Sequence, residues 1–471
     1  MVDVVLIFML PNFNYNIKFQ PQGVLYLAAA LEKENVDVKI LDMTINFWSK
    51  EKTLKFLLKE KPKIVGIGAM SNQLRDAVVY AKYFKDNGLQ SKIVLGGPHV
   101  TLCPDFVKKF KMFDYGFVGE GELTFPKMVN DLIRGKKVKK IVYGKKVENL
   151  DSLPLPAYHL LEMKKYRMPH TSKIFSTMIT TRGCPYSCDF CNVPKLSGRN
   201  VRFKSANTVV EEVRLLNEKF GIEWIMFTDE NFTIYEKRVA KICHLIKKER
   251  IDVEWMCETR NDLVNRKLLS TMYKAGCRGI GFGVETGAES VRKKVKGTSP
   301  TDKTIIRSFN LCNEIGIKAI AFLMFGYPGE TKEDMKKTSS FPHLINADSI
   351  FSNPNFFLPK TPIFEKSVRD GLIKKNMWNK YASGDMRHVP IYLPNGMTHK
   401  ELLKIINNCD TKFYLRPSSL SKRLKINNFN DLRLLVRNSK DFLVEFNDFA
   451  DHVFKSDYQI KRFLYPYYRK R

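Results

Sequence analysis

The sequence predicts an α/β protein with two parallel-sheet domains and a helical C-terminal segment. Two long stretches alternate short apolar strands with amphipathic helices, the pattern of a parallel sheet covered by helices. A proline-punctuated segment separates them, and the C-terminal part is basic with helical spacing. We predict a doubly wound Rossmann-like domain at 1–145, a linker at 146–169, a partial (β/α)6 barrel at 170–365 and a mostly helical cap at 366–471.

Length and composition favour a multidomain globular protein. The chain has 471 residues and 44% hydrophobic residues, enough for two or three domains. Nine cysteines without a regular framework favour a reducing compartment. The N-terminus carries an acid at Asp3, and no apolar run approaches the roughly 18 residues of a membrane span. We therefore expect a soluble, cytoplasmic protein.

The net charge of +30 allows two interpretations. One is a polyanionic partner such as nucleic acid or an anionic membrane surface. The other is a lysine-rich, solvated surface. Lysines are spread along amphipathic helices and no compact arginine-rich arm occurs, so we favour the second interpretation.

The first domain is predicted from strands that end in glycine-bearing turns. Backbone can approach a ligand closely at such turns, and ligands of parallel sheets lie at the carboxyl ends of strands. A dinucleotide fingerprint is weak because Gly66-Ile67-Gly68 lacks its third glycine. The predicted strands are Val4–Leu10, Val36–Leu41, Ile64–Ile67, Lys92–Leu95 and Phe117-Val118, and the turns are Gly68–Ser71, Gly96–His99 and Gly119–Glu122.

The second domain is predicted from longer strand-and-helix units with polar residues at the strand ends. Such residues line the cavity of a barrel. The predicted strands are Phe175–Thr180, Trp224–Thr228, Val253–Glu258, Gly279–Glu285, Ala319–Phe325 and Ser349–Phe357, with helices at Thr208–Phe220, Glu236–Arg250, Asn265–Ala275 and Asp302–Ile315.

Three cysteines follow the first of these strands with the spacing C-x3-C-x2-C. Cys184, Cys188 and Cys191 lie in a loop marked by Gly183 and Pro185. Three thiolates on a 4Fe–4S cluster would leave one iron open for a small molecule. A structural zinc site needs four ligands and has no second cysteine pair here. Zinc binding and chance clustering of core cysteines remain the alternatives.

Several motifs together resemble a known family. The cysteine spacing, with Phe190 before the last cysteine, is similar to the signature of the radical S-adenosylmethionine (SAM) enzymes. Three N-terminal segments, Pro21–Ala28, Gly96–Thr101 and Val118–Glu122, resemble the cobalamin-binding domain of one class of these enzymes. That class includes cobalamin-dependent methyltransferases and the anaerobic Mg-protoporphyrin monomethyl ester cyclase.

The resemblance implies three sets of site residues. Within the SAM set, Glu230 would meet the amino group, Arg260 the carboxylate and Glu285 the ribose. No Asp-x-His-x-x-Gly motif occurs, so no histidine ligand to cobalt is implied. The sets are Cys184, Cys188 and Cys191 for a 4Fe–4S cluster; Phe190, Glu230, Arg260, Glu285 and Gly326 for SAM; and Ser71, Gly96, Gly97, His99, Gly119, Glu120 and Gly121 for cobalamin.

The resemblance also implies an activity and partners. SAM would be cleaved to a 5′-deoxyadenosyl radical, and cobalamin would deliver a methyl group to an unactivated carbon. Oxidation, cyclisation or rearrangement without methyl transfer is the alternative, and a basic nucleic-acid-binding protein with a structural metal is a remote one. Expected partners are a small-molecule or lipid-like substrate and an electron donor such as flavodoxin or ferredoxin. The basic tail Lys461–Arg471 could contact an anionic surface.

Overall fold

The computed structural model describes residues 2–9, 18–168, 173–297, 300–394 and 396–416. Two compact units make up the chain: Met1–Trp255 with Leu358–Pro390, and Met256–Phe357 with Ile391–Arg471. The basic tail Lys461–Arg471 lies outside the described residues.

The strands follow the predicted alternation. They are β1 Val4–Phe8, β2 Val38–Asp42, β3 Ile64–Gly68, β4 Lys92–Gly96, β5 Tyr115–Val118, β6 Ile141–Tyr143, β7 Phe175–Met178, β8 Thr181–Arg182, β9 Arg202–Phe203, β10 Trp224–Phe227, β11 Glu254–Thr259, β12 Cys277–Glu285, β13 Lys318–Phe325 and β14 Ser349–Pro354.

The helices lie between and after them. They are α1 Gln22–Lys33, α2 Met43–Asn46, α3 Lys50–Glu60, α4 Leu74–Asp86, α5 Pro98–Leu102, α6 Phe106–Lys109, α7 Phe125–Ile133, α8 Val193–Leu196, α9 Ala206–Phe220, α10 Glu236–Lys248, α11 Arg266–Lys274, α12 Glu289–Lys296, α13 Asp302–Ile315, α14 Lys332–Leu344, α15 Pro362–Arg369, α16 Met377–Ser383 and α17 His399–Tyr414.

The first unit contains a six-stranded parallel sheet of order β2-β1-β3-β4-β5-β6. Strands β1 and β3 are apolar throughout because helices cover both faces of the sheet, and Val4–Ile7 is fully buried. The strand order reverses at β1, so the ligand crevice is expected where β1 and β3 end. The expectation that Phe117-Val118 is the last strand is wrong. The half-exposed edge strand β6 adds to the sheet and is too short to give a strong pattern.

The half-barrel strands run through both units. In the first unit β10 pairs in parallel with β7, and the start of β11 joins β10 through the Glu254 N to Glu223 O hydrogen bond of 3.0 Å. In the second unit β11, β12, β13 and β14 follow in order, with a register shift between Gly283 and Glu285. The predicted α/β class, with a Rossmann-like domain, a partial barrel and a helical C-terminal segment, is confirmed.

The segment predicted as the cap is divided between the units. Residues 358–390, with α15 and α16, belong to the first unit, and α17 packs against β14 in the second. None of the helices in the described part of the chain has both the length and the apolar character that crossing a bilayer requires.

Candidate active site

The cysteine loop folds back on the residues that follow it. Cys184 is buried, whereas Cys188 and Cys191 are half-buried; all nine cysteines are at described positions and none is in a disulfide. Gly183 has a φ of +101°, and a Cβ there would lie 2.5 Å from the Asn200 carbonyl oxygen. Only glycine therefore permits this approach.

A buried carboxylate at the end of β10 fixes the start of this loop. Asp229 accepts hydrogen bonds from the backbone N–H groups of Thr180 and Thr181, at 2.7 and 2.6 Å, and from both threonine hydroxyls, at 2.7 and 3.0 Å. Burial raises the pKa of Asp229, while the hydrogen bonds from Thr180 and the nearby Arg238 oppose that rise. Asp229 is therefore an internal anchor.

Glu230 and Asn231, which follow Asp229 after β10, do not hold the loop entrance as Asp229 does. Asn231 Nδ2 donates to Cys184 Sγ over 3.3 Å, and Glu230 is half-buried. N–H donors of this kind tune cluster sulfurs and their thiolate ligands. Sequence reasoning selected only Glu230 from Asp229-Glu230-Asn231. The run of three polar residues after an apolar strand was the available signal for the other two.

The donor set fits a cluster better than a single ion. No three His, Cys, Asp or Glu side chains in the described ranges converge as they would around one metal ion. Thiolates on a 4Fe–4S cluster each bind a different iron, so they need not converge on one point. The three thiols suit that arrangement, because Cys184 is buried and accepts a hydrogen bond from the Asn231 amide, while Cys188 and Cys191 are half-buried.

The glycine turns after β4 and β5 have close-packed backbones. Gly97 has a φ of +96°, and its Cβ would lie 2.9 Å from the backbone N and O of Ala69. Gly119 has a φ of +85°, and its N–H donates to Thr101 Oγ1 over 3.0 Å. A Cβ on Gly96, in contrast, would meet only Phe117 atoms 3.9 Å away, so space is left beside that backbone.

His99 is enclosed rather than presented to solvent. It is 1% exposed, its Nδ1 lies 2.9 Å from Ser71 Oγ, and the rings of Phe106 and Trp378 pack against it. Burial lowers the pKa of His99 to about 3, so the imidazole is neutral. The Ser71–His99 contact joins the turn after β3 to the turn after β4.

Glu120 is held in an ion-pair network. Arg202 pairs with it at 2.5 Å, Arg182 lies 3.2 Å away, and the Val147 N–H donates to it over 2.8 Å. Arg182 also pairs with Glu122 at 2.5 Å. Burial alone would raise the pKa of Glu120, but the Arg202 hydrogen bond and the other partners leave it below its usual range. The network ties the Gly119–Glu122 turn to the residues beside Cys184.

Two glutamines pair with the open edge of β7. Gln20 accepts from the Thr177 N–H over 2.9 Å and donates to the Phe175 carbonyl over 2.7 Å, as a neighbouring strand would. Gln22 donates to the Thr177 carbonyl over 2.5 Å. The segment that begins α1 is thereby attached to the strand that leads into the cysteine loop.

In the second unit, the predicted ribose contact has an ionic partner. Glu285 has a backbone φ of +66°, which residues other than glycine rarely adopt. Its Oε1 lies 3.1 Å from Nζ of the buried Lys296. Lys296 also donates to the Gly283 carbonyl over 2.7 Å. Lys296 was missed because a lysine within a basic helix resembles a surface residue.

The turn after β13 is shaped by its own carboxylate. Glu330 accepts from the N–H groups of Gly326 and Tyr327, at 2.6 and 3.0 Å. Gly326 has a φ of +88°, and a Cβ there would lie 3.0 Å from the Tyr392 carbonyl. Burial raises the pKa of Glu330 to about 7.

The predicted SAM contacts are therefore divided between the units. Phe190 and Glu230 belong to the first and are half-buried, while Arg260, Glu285 and Gly326 belong to the second. Arg260 pairs with Asp262 at 2.8 Å. Within the first unit, the structure connects the cysteine loop to the glycine turn that contains Gly121.

Replacing Asp229 tests the anchor. Asp229→Ala removes four accepted hydrogen bonds from buried groups and should lower the free energy of unfolding by about 3 kcal/mol. Asp229→Asn should cost much less, because its amide oxygen still accepts from both N–H groups and its NH2 can donate to the Thr180 hydroxyl. Denaturant unfolding measures both, with the exposed Asp252→Ala as control. Equal losses in the Ala and Asn variants would contradict the assignment.

Glu330 should make stability depend on pH. Its pKa is higher in the folded protein than the 4.5 of a free carboxyl, so its stabilising contribution is full below pH 4.5 and falls as the pH rises to about 7. Glu330→Gln keeps the acceptor and cannot ionise. Its stability relative to the parent should therefore increase between pH 4.5 and 7, by up to about 3 kcal/mol. The exposed Glu333→Gln is the control, and stability is measured by unfolding each protein over this pH range. The prediction is refuted if the stability difference from the parent changes with pH in the same way for both variants.

Comparisons with known proteins agree with these arrangements. Residues 14–129 match the B12 binding domain, and residues 178–341 match the radical SAM superfamily. An uncharacterised methyltransferase of Pyrococcus horikoshii is 31% identical over 418 residues, covering 85% of this chain and 89% of that protein. The hopanoid C-2 methylase of Rhodopseudomonas palustris is 27% identical, covering 86% and 72%.

Two solved structures share the fold. The radical SAM methyltransferase TsrM of Kitasatospora setae, with cobalamin and a [4Fe-4S] cluster bound, has a TM-score of 0.63 and 19% identity, covering 79% of this chain and 75% of that one. The cobalamin-dependent radical SAM enzyme OxsB has a TM-score of 0.65 and 18% identity, covering 98% and 74%. The family matches and the Pyrococcus relative show that this chain belongs to the radical SAM enzymes that carry a B12-binding domain.

Proposed function

We propose that the chain is a cobalamin-dependent methyltransferase that acts on an unactivated carbon of a small molecule. The observation that carries the proposal is the attachment of the cysteine loop to the glycine turns, through Arg182 and Glu122, within one compact unit. When bound, the cluster and SAM supply a 5′-deoxyadenosyl radical and cobalamin supplies the methyl group. Methyltransferases among the relatives support the same reaction class.

Cys184, Cys188 and Cys191 are proposed as the cluster ligands. Their three thiolates would leave one iron for the amino and carboxylate groups of SAM. Asn231 would donate to the Cys184 sulfur, as it does in the structure. Asp229 keeps the loop entrance fixed, so the three sulfurs are preorganised.

The SAM contacts are proposed residue by residue. Glu230 would accept from the amino group, and Arg260 would attract the carboxylate by its positive charge while its Nε and Nη2 donate to Asp262. Glu285 would accept from ribose hydroxyls, with Lys296 orienting its carboxylate through the ion pair. The Gly326 turn, fixed by Glu330, would present backbone to the adenine, and Phe190 would line the cluster side.

The cobalamin contacts are proposed at the glycine turns. Gly96, Gly97, Gly119 and Gly121 are proposed to bring backbone close to the corrin ring. The space beside Gly96 fits that role, whereas the Cβ positions of Gly97 and Gly121 face Ala69 and Leu27. Ser71, His99 and Glu120 would hold the turns in place through contacts already formed. His99 is enclosed and its Nδ1 faces Ser71, which is consistent with cobalt having no histidine ligand.

We also propose domain boundaries, a location and an electron donor for this chain. These proposals are the domain boundaries at 1–145, 146–169, 170–365 and 366–471, a cytoplasmic location, and reduction by a flavodoxin or ferredoxin. A substrate that is small or lipid-like is supported by the chemistry of the hopanoid-methylating relative.

Removal of one cluster cysteine tests the metal site. After anaerobic reconstitution, the parent should show 4Fe–4S absorbance and Cys188→Ala should lose most of it, because two thiolates cannot hold the cluster firmly. Cys103→Ala is the control, since Cys103 is also half-buried but lies outside the loop. Equal iron content in the two variants would refute the ligand assignment.

Product analysis tests the reaction class. The protein is incubated with SAM, cobalamin, a reductant and a cell extract that contains the substrate. Methyl transfer should then form S-adenosylhomocysteine together with 5′-deoxyadenosine. Formation of 5′-deoxyadenosine alone would favour cyclisation or rearrangement, the reaction class of the Mg-protoporphyrin cyclase of Rubrivivax gelatinosus, which is 28% identical. An intact cluster without any cleavage of SAM would refute both.

A further inference from the structure

We propose that an acidic electron-carrier protein docks on a basic surface beside the cysteine loop. We define this basic surface by Lys195, Arg199, Lys366 and Lys375, all exposed and all in the first unit. The inference rests on the proposed function, because only a cluster bound to that loop needs an external electron.

The first half of the basic surface is part of the cysteine segment itself. Arg199 donates from Nη1 to the Pro185 carbonyl over 3.2 Å and to Ser187 Oγ over 2.9 Å, so its guanidinium lies on the stretch between the first two cysteines. Lys195 is in α8, four residues after Cys191 in the sequence. Both cations therefore border the half-buried part of the loop.

The second half comes from the segment around α15. The Ile363 N–H donates to the Asp189 carbonyl over 3.1 Å, which places the start of α15 against the loop between the last two cysteines. Lys366, one turn along this helix, interacts electrostatically with the Asp189 carboxylate. Cys103, which directly follows α5, interacts electrostatically with Lys360 and Lys375 and with the acids Glu365 and Asp105. Helix α5 in turn packs against α8. The four cations thus surround one region.

The positive charge of this surface is opposed in part by the Asp189 carboxylate near Lys366, and a net positive charge remains. The acids of the α15 segment have partners of their own, with Glu365 3.9 Å from Lys360 and Asp370 3.9 Å from Arg369. None of the four cations has a carboxylate within 4.0 Å in the part of the chain that the structure describes. A compact positive surface of this kind attracts and orients an acidic partner and accelerates its association.

Size and position favour a redox protein over a membrane or nucleic acid. Electron-transfer encounters use small interfaces, and four charges around one loop match that scale. Leu372 is the large apolar side chain exposed on the α15–α16 connection, whereas an interfacial membrane helix needs a continuous apolar face. The surface also borders the loop segment that contains Cys188 and Cys191, the two less buried thiols.

Charge reversal with reduced flavodoxin as the probe tests the proposal. In the cluster-loaded protein, Lys195→Glu/Lys366→Glu/Lys375→Glu should slow oxidation of flavodoxin hydroquinone at least about tenfold at low ionic strength. The difference should shrink at about 0.5 M salt, where the Debye length falls to a few ångströms. Arg199 is left intact because it bonds to the loop. Lys247→Glu/Lys248→Glu, on the exposed side of α10, is the matched control.

Three outcomes would overturn the docking surface. The triple variant could react with flavodoxin as fast as the parent, the α10 control could lose as much rate, or the triple variant could lose only its binding to phosphatidylglycerol vesicles. Cluster reduction by titanium(III) citrate should be equal in all variants, which shows that the loop is intact. If no variant holds a cluster, the proposed function fails. Flavodoxin binding to the cluster-free protein, weakened at least tenfold by the triple variant, would still support the surface.

Discussion

The first unit depends on one buried carboxylate, Asp229. Parallel strands end with backbone donors that have no partner, and the chain after β7 must leave the sheet as an irregular loop. Asp229 reaches across from the neighbouring strand and accepts from both Thr180 and Thr181, so the loop leaves in a single direction. The cost of burying the charge is offset by four hydrogen bonds and by the nearby positive charge of Arg238. Everything proposed for Cys184 follows from that fixed starting point.

A second constraint connects this loop to the Rossmann-like sheet. Arg182 lies two residues before Cys184 and pairs with both Glu120 and Glu122, and Gln20 adds an amide pairing on the edge of β7. Side-chain ion pairs of low exposure are rigid because each partner loses too much when separated. A reaction that needs two cofactors at a set spacing benefits from such rigidity, since misplacement by about 1 Å can cost a hundredfold in rate.

Much of this arrangement was predictable from sequence, and the unpredictable part has a physical cause. Alternating apolar strands and helices predict both sheets, and the cysteine spacing predicts the metal loop, because these signals are local in the chain. The Arg182–Glu122 pair and the Gln20 pairing join residues 60 and 157 positions apart, and no local pattern encodes them. The edge strand β6 was missed for the opposite reason, because three half-exposed residues leave almost no periodic signal.

The carboxylates at strand ends show most clearly that sequence alone does not predict the role of each residue. The sequence pattern alone does not separate Asp229, Glu230, Glu285 and Glu330, because each is an acid at or after the end of an apolar strand, and the family resemblance selected only Glu230 and Glu285. In the structure, Asp229 and Glu330 accept from backbone N–H groups and are committed to shaping turns. Glu285 instead pairs with a lysine ammonium, and Glu230 stays half-buried. A carboxylate that already satisfies backbone donors has little left to offer a ligand, so Glu230 and Glu285 are the acids that we propose as SAM contacts.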